Sequence, residues 1–393
     1  MTGTGKLRIG LDITPLRPPL TGIGNYELHL LSAVLSHADA PDFVGFDRFR
    51  WKDVDPAYLG LIGLRTSSLN LPHLVRQRRF FPAKPIGVAY MSLRRAIFEA
   101  TQRSRSLTAF HAFAYLAPGR IDAPVIPVVY DVSFVRFPEL HPADRLRRLE
   151  GLERQLRSAP AVHTISQFSA NEIADVFGIE PSRIFVIHPA VNPDLLRSES
   201  PPAETLHKYT LESDRYFLVV STLEPRKNLR TLVAAYSRLP RSQRDRFPLC
   251  VVGASGWGDL DLPSEWTTLQ RDGSLRFLGF VSNGDLRALY EHTRAMFYPS
   301  IYEGFGIPII DALACGTRVV CSDAPSLTEA AGEVTTRVPA LGVDGWLNQL
   351  QAAIDQRGVD NAAIDSRKAH ALHFSWSASA ERTLGLYRKV AAQ

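Results

Sequence analysis

Short apolar, β-branched runs alternate with amphipathic helical stretches along this chain, and that alternation is the pattern of parallel α/β layers. In the first half the strand candidates are Leu7–Ile13, Thr108–Phe113, Val125–Tyr130, Val162–Ile165 and Ile184–Ile187. In the second half they are Tyr216–Val220, Leu249–Val252, Leu275–Leu278, Ala295–Tyr298 and Arg318–Cys321. Helices fit between them at Ile23–Leu35, Pro142–Arg157, Asn171–Phe177, Asn228–Tyr236, Leu286–His292 and Ile307–Ala314. At 393 residues the chain favours two such units over one. The composition shifts at His188–Thr205, where Pro189, Pro193, Pro201 and Pro202 sit among Ser, Asn and Glu. We therefore expect a first domain over 1–192, a linker over 193–210 and a second domain over 211–374. The cleft between them should face the carboxyl ends of the strands, where open parallel sheets bind ligands.

Composition narrows the class further. Hydrophobic residues at 45% and charged residues at 22% exclude disorder, collagen and coiled coil. No apolar run approaches the ~18 residues of a membrane-spanning helix, and Met1–Ile13 carries no export signal. Three cysteines, Cys250, Cys315 and Cys321, are too few for a disulfide framework or a four-thiolate metal site, so reduced core thiols in a cytoplasmic protein are expected. The net charge of +5 is unevenly placed: Arg48 to Arg105 holds 12 basic and 3 acidic residues, among them Arg76, Arg78, Arg79, Arg94, Arg95, Arg103 and Arg105. Such a stretch is either a solvated basic face or a patch that attracts an anionic membrane, a nucleic acid or a phosphorylated substrate.

Three stretches could carry chemistry. After the first strand, Gly22-Ile-Gly24-Asn25 leads into a helix, but Glu27 stands where a dinucleotide fingerprint needs a third glycine. It is either a substrate-approach loop or a plain tight turn. Ser221-Thr-Leu-Glu-Pro225-Arg226-Lys227-Asn228 follows a strand and opens a helix. Two cations at a helix N-terminus oppose the macrodipole, so they are either exposed for solubility or await an external anion, and Arg with Lys suits a diphosphate. In Tyr302-Glu303-Gly304-Phe305-Gly306-Ile307-Pro308-Ile-Ile-Asp311, a glycine-rich turn leads into an apolar helix. Glu303 and Asp311 can face one cleft and hold sugar or ribose hydroxyls while the amides of Phe305, Gly306 and Ile307 face an anion; the alternative is a capping Glu303 and a solvated Asp311.

Glu303-Gly-Phe-Gly-Ile-Pro-Ile-Ile-Asp311-Ala-Leu-Ala-Cys-Gly316 resembles the Glu-x7-Glu motif of the retaining nucleotide-sugar glycosyltransferases of family 4. Glu224-Pro-Arg-Lys-Asn228 resembles the phosphate motif of a subgroup rich in mannosyl- and rhamnosyltransferases of bacterial surface polysaccharides. The likeness extends to Gly22-Ile-Gly24-Asn-Tyr26, Tyr130-Asp131, Thr164-Ile-Ser166, Gly253 with Trp257, Phe277-Leu-Gly-Phe-Val281 and Phe374-Ser-Trp376.

The resemblance implies the GT-B fold: two Rossmann-like domains facing across a cleft, with a C-terminal helix (375–393) crossing back to the first. It implies that Arg226 and Lys227 bind the donor diphosphate, with Glu303 beside the donor sugar and Asp311 in place of the glutamate that holds the ribose. Gly22 and Gly24 would approach the diphosphate, Phe280 and Val281 would line the base pocket, and Gly304, Phe305, Gly306 and Ile307 would complete the donor site. Tyr130, where many members carry His, together with Asp131 and His111, would lie on the acceptor side.

The expected activity is retaining transfer of a hexose, with GDP-mannose as the donor, to a lipid-linked or saccharide acceptor in O-antigen or exopolysaccharide synthesis. Neither a cofactor nor a metal is expected, although Asp259-Leu-Asp261 mimics a metal-binding Asp-x-Asp. The Arg48–Arg105 region would meet an anionic membrane at the inner face of the cytoplasmic membrane. The alternatives are a rhamnosyl- or glucosyltransferase using a dTDP- or UDP-sugar, an epimerase or phosphorylase on the same fold, and a basic nucleic-acid-binding protein. The last lacks a recognisable nucleic-acid module, so no nucleic acid is expected as a partner.

Overall fold

The computed structural model describes residues 6–67, 84–197, 201–254, 256–257, 260, 262–356, 358 and 360–393. Two sheets organise them. The first holds β1 (Arg8–Asp12), β2 (Asp42–Asp47), β3 (Arg50–Asp53), β4 (Ala109–Ala112), β5 (Val125–Val129), β6 (Val162–Thr164) and β7 (Ile184–Val186), in the order β3-β2-β1-β4-β5-β6-β7. All neighbours are parallel except the β2–β3 hairpin. The second holds β8 (Phe217–Val220), β9 (Leu249–Val252), β10 (Leu275–Gly279), β11 (Ala295–Tyr298), β12 (Val319–Ser322) and β13 (Thr336–Val338). Its order, β10-β9-β8-β11-β12-β13, is that of a Rossmann sheet, with the switch point between β8 and β11.

Every strand read from the alternation is present. Three go beyond it. β2 has a short buried run, Phe43–Phe46, interrupted by Gly45 and bounded by Asp, β3 is a charged edge strand, and β13 has only 3 residues, so none stands out as a continuous apolar strand in the sequence. The helix expected over Pro142–Arg157 is two, Ala143–Leu149 and Leu152–Ser158, because Gly151 takes a left-handed φ of 93° between them. The 193–210 stretch is not an irregular connector. It contains helices Pro193–Arg197 and Pro202–Lys208, and the second docks on the far domain where Thr205 and Lys208 donate to Asp285 at 3.0 and 2.7 Å.

The closing helix, Trp376–Ala391, returns to the first domain and packs along Gly22–Leu35. Trp376 Nε1 donates to the Val191 carbonyl at 2.9 Å and Ser379 Oγ to that of His188 at 2.6 Å. Deeper in, a buried chain runs Tyr387–His111–His163–Tyr26 at 2.8, 2.9 and 2.7 Å. Its direction follows from its end: Tyr26 donates its proton to the Ile187 carbonyl, so each earlier member must donate to the next. Burial holds both histidines neutral, His163 with a pKa of about 3.

Candidate active site

The second sheet places its charged residues at the switch point. After β8 the chain forms a short turn, Pro225–Lys227, and Asn228, at a left-handed φ of 53°, starts the helix Leu229–Ser237. Asn228 is fixed by its side-chain amide, which donates to the carbonyls of Pro299 and Ala340 at 3.0 and 2.8 Å. Arg226 and Lys227 therefore precede the helix instead of forming its first turn, and the macrodipole is not what they answer to. After β11 the chain passes through Glu303 and Gly304 to Gly306, whose φ of 103° turns it into helix Ile307–Ala314. The N–H groups of Gly304, Phe305 and Gly306 make no hydrogen bond to any described residue.

The anion facing the two cations is internal. Glu303 accepts from Arg226 Nη1 at 2.9 Å through one oxygen, and from Lys227 Nζ and the Tyr298 hydroxyl (2.9 Å) through the other. Arg226 also donates through Nε to Glu224 at 2.9 Å and through Nη1 to the Tyr302 carbonyl at 3.2 Å. The Glu303 amide donates to Ser326 Oγ at 3.0 Å. Burial alone would raise the Glu303 pKa, but the Lys227 and Arg226 cations outweigh it and bring it to about 2. Burial works against the Arg226 cation as well, yet Glu303, Asp131 and Glu224 hold its pKa well above the usual value. The arrangement is two largely buried cations on a single shared carboxylate at a sheet's switch point.

The first domain meets this cluster through its backbone. A Cβ on Gly304 would lie 2.2 Å from the Tyr130 carbonyl, so only glycine permits the two domains to close here. Ser166 and Ser169 donate to the Gly304 carbonyl at 2.5 and 3.1 Å. The Tyr130 side chain faces its own core, donating to the Phe113 carbonyl at 3.0 Å, so this residue offers the cleft a carbonyl and not a phenol. Asp131 accepts from the Ser133 amide and hydroxyl at 2.9 and 2.6 Å. Below the contact, Glu329 of the second domain accepts from the Gln167 and Phe168 amides at 3.0 and 2.9 Å and pairs with His188 at 2.9 Å.

Other expected residues lie elsewhere. His111 is not on the acceptor side: it is fully buried in the chain to Tyr387, with both nitrogens committed. Gly24 serves packing, since a Cβ there would lie 2.4 Å from the Pro15 carbonyl, while Gly22 is exposed with nothing within 4 Å of such a Cβ. Asp311 is buried, and its carboxylate accepts from the Asn192 amide at 2.9 Å, which ties the helix after the glycine turn to the interdomain connection. Burial raises its pKa to about 7 against the opposing effect of that bond. Phe280 is exposed at the end of β10 and Val281 beside it is buried.

The basic stretch is partly paired: Arg94 is buried against Asp12 at 3.0 Å, and Arg95 and Arg103 pair on the surface with Glu99 and Asp122. Arg76, Arg78 and Arg79, like Asp259 and Asp261, lie outside the described residues. Among the described residues no three His, Cys, Asp or Glu side chains gather as a metal ion would require.

The sequence reading missed Tyr298, Ser326 and Glu329, and it also missed His141, which stands beside Trp257. The only signal for Tyr298 was its place at the end of β11, and for His141 its position ten residues past Asp131.

Residues 204–339 match the family model for glycosyl transferases group 1, and residues 63–195 that for glycosyltransferase family 4. The O-antigen chain mannosyltransferase B of Escherichia coli is 32% identical over 388 residues, covering 97% of this chain and 100% of that protein. A D-inositol 3-phosphate glycosyltransferase of Kribbella flavida is 26% identical over 70% of this chain and 67% of that protein. Among solved structures, sucrose-phosphate synthase from Thermosynechococcus elongatus superposes with a TM-score of 0.69 at 17% identity, over 98% of this chain and 100% of that one. HepE of Anabaena, in complex with UDP and glucose, superposes with a TM-score of 0.62 at 18% identity, over 99% of each chain. Two Rossmann-like sheets facing across a charged cleft, closed by a returning helix, are the architecture of GT-B glycosyltransferases. Within that class, the chain belongs to glycosyltransferase family 4.

Proposed function

We propose that the chain transfers mannose from GDP-mannose, with retention of configuration and without a metal ion, to a lipid-linked or saccharide acceptor in O-antigen synthesis. The observation that carries this reading is the pair of buried cations, Arg226 and Lys227, held at the switch point by Glu303. The full-length likeness to an O-antigen mannosyltransferase supports mannose as the transferred sugar and an O-antigen chain as the acceptor.

Cleavage of the sugar–phosphate bond leaves charge on the departing diphosphate. Arg226, Lys227 and the amides after Glu303 supply a preorganised positive field for that charge. The acceptor hydroxyl attacks on the leaving-group face and its proton passes to a phosphate oxygen, so no protein nucleophile enters. Asp311 holds the ribose hydroxyls, and Phe280 and Val281 border the base. The partners are then the nucleotide sugar and its acceptor, with no nucleic acid and no resident cofactor.

Among the described residues no helix is long and apolar enough to cross a membrane. Leu61, Met91 and Leu93, exposed at 56%, 50% and 54%, lie within the basic stretch and support peripheral contact with an anionic cytoplasmic membrane surface.

The test is a transfer assay with GDP-mannose, UDP-glucose and dTDP-rhamnose, a lipid-linked oligosaccharide acceptor and a chelator, with the product linkage read by NMR. An α-mannoside formed from GDP-mannose in chelator is expected. Turnover with only another donor, or none without added metal, contradicts the proposal.

A further inference from the structure

His141 is buried, with 8% of its surface exposed, yet neither ring nitrogen has a hydrogen-bond partner among the described residues. The contrast with the other buried imidazoles is direct, since His111 and His163 have every nitrogen engaged. A buried polar group without a partner lowers stability, and proteins retain such groups where a ligand completes them. Glu27 is a second orphan, with both carboxyl oxygens unpaired among the described residues, and it is fully buried.

The position of His141 tells what would complete it. The indole of Trp257, from the second domain, lies over it with ring centroids 6.0 Å apart and planes inclined by 31°. Trp257 Nε1 donates to the neighbouring Leu140 carbonyl at 3.3 Å, and the Arg145 guanidinium lies 4.5 Å from the indole ring. Burial lowers the imidazole's pKa to about 4, with Arg145 and Arg226 pressing the same way and Asp131 and Glu139 opposing. The charges of Asp131, from the first domain, and Arg226, from the second, both act on the ring. As a neutral ring it offers one N–H donor and one nitrogen acceptor. A sugar hydroxyl, which both donates and accepts, satisfies either nitrogen, and two hydroxyls on opposite edges of the ring satisfy both.

We propose that His141 is a substrate-contacting residue that binds hydroxyls of a saccharide held where the two domains meet, beside Trp257. This rests on the glycosyl-transfer reading of the Arg226–Glu303 cluster. Two sources share that chemistry: the sugar being transferred and the terminal sugar of the acceptor.

The experiment compares wild type with His141→Phe and His141→Gln, reading thermal melting and the steady-state constants for donor and acceptor. The Phe variant fills the ring's space without polar atoms. It should melt at or above the wild-type temperature while losing at least tenfold in kcat/KM. The Gln variant, which keeps one donor and one acceptor, should recover part of that loss. A rise confined to the donor KM assigns the contact to the transferred sugar, and a rise confined to the acceptor KM to the acceptor.

A Phe variant with wild-type kcat/KM overturns the proposal. So does one that melts well below wild type while Gln restores neither stability nor rate, because the imidazole is then a structural group. If wild type transfers from no nucleotide sugar, the glycosyl-transfer reading fails by itself. The melting comparison still decides whether the ring is kept for stability.

Discussion

Lys227 illustrates how the site is balanced residue by residue. Burial works against its ammonium, and Glu303 is the carboxylate that keeps it charged. Removing one partner of a buried pair strands the other, at about 3–5 kcal/mol, whereas removing both is far cheaper. Glu303→Gln should therefore melt well below wild type and lose transfer. Lys227→Met combined with Glu303→Gln should recover most of the stability and none of the activity, as melting curves and a transfer assay would read. A double variant no more stable than the single one would show that the pair is not coupled.

Asp311 gives a pH signature of opposite kind. Its folded pKa of about 7 lies above the ordinary 3.8, so its contribution is complete below about pH 4 and is lost as pH rises through 7. Asn in its place still accepts from the Asn192 amide and carries no charge. Asp311→Asn should then be the more stable form at pH 8, by roughly 2–4 kcal/mol, and show no advantage at pH 4. Equal melting gaps at both pH values would contradict the raised pKa. At this scale the sequence disclosed which residue types stand in the site. It did not disclose that Glu303 neutralises Arg226 and Lys227, because 76 or more residues separate the partners and only the fold brings them within bonding distance.

The elements were legible where burial leaves a mark. Strands buried on both faces, such as β8 and β11, read as continuous apolar runs, and the glycine turn before Ile307–Ala314 reads from its own residues. The hairpin β2–β3 leaves a weaker mark, since the edge strand β3 carries Arg, Lys and Asp and β2 is short and interrupted by Gly45. The contact between the Gly304 turn and Tyr130 could not be read at all, because it depends on how two domains meet. It carries a prediction. Alanine at Gly304 puts a methyl 2.2 Å from the Tyr130 carbonyl and 3.1 Å from Ile165 Cδ1, and so presses the two domains apart. Gly304→Ala should lose transfer on the order of a hundredfold, since displacement of a reacting group by an ångström costs that much. Full activity in that variant would mean that closure at this contact does not matter to catalysis.

Over the whole molecule, each sheet contributes what its topology puts at the cleft. The second brings the cations and Glu303 from the turns after β8 and β11, the strands that flank its switch point. The first brings Tyr130 and Asp131 from the end of β5. The Glu329 clamp on the helix Gln167–Phe177 and the returning helix Trp376–Ala391 fasten the two halves in register. On the proposed function, the binding of a nucleoside diphosphate is the property on which everything else depends.

The most direct test is calorimetric titration of the purified protein with GDP, UDP and dTDP in the presence of a chelator, repeated with Lys227→Met. The account predicts that GDP binds wild type without metal, more tightly than the other two, and that the variant loses at least tenfold in affinity. Undiminished GDP binding by Lys227→Met, or no diphosphate binding to wild type, would contradict it.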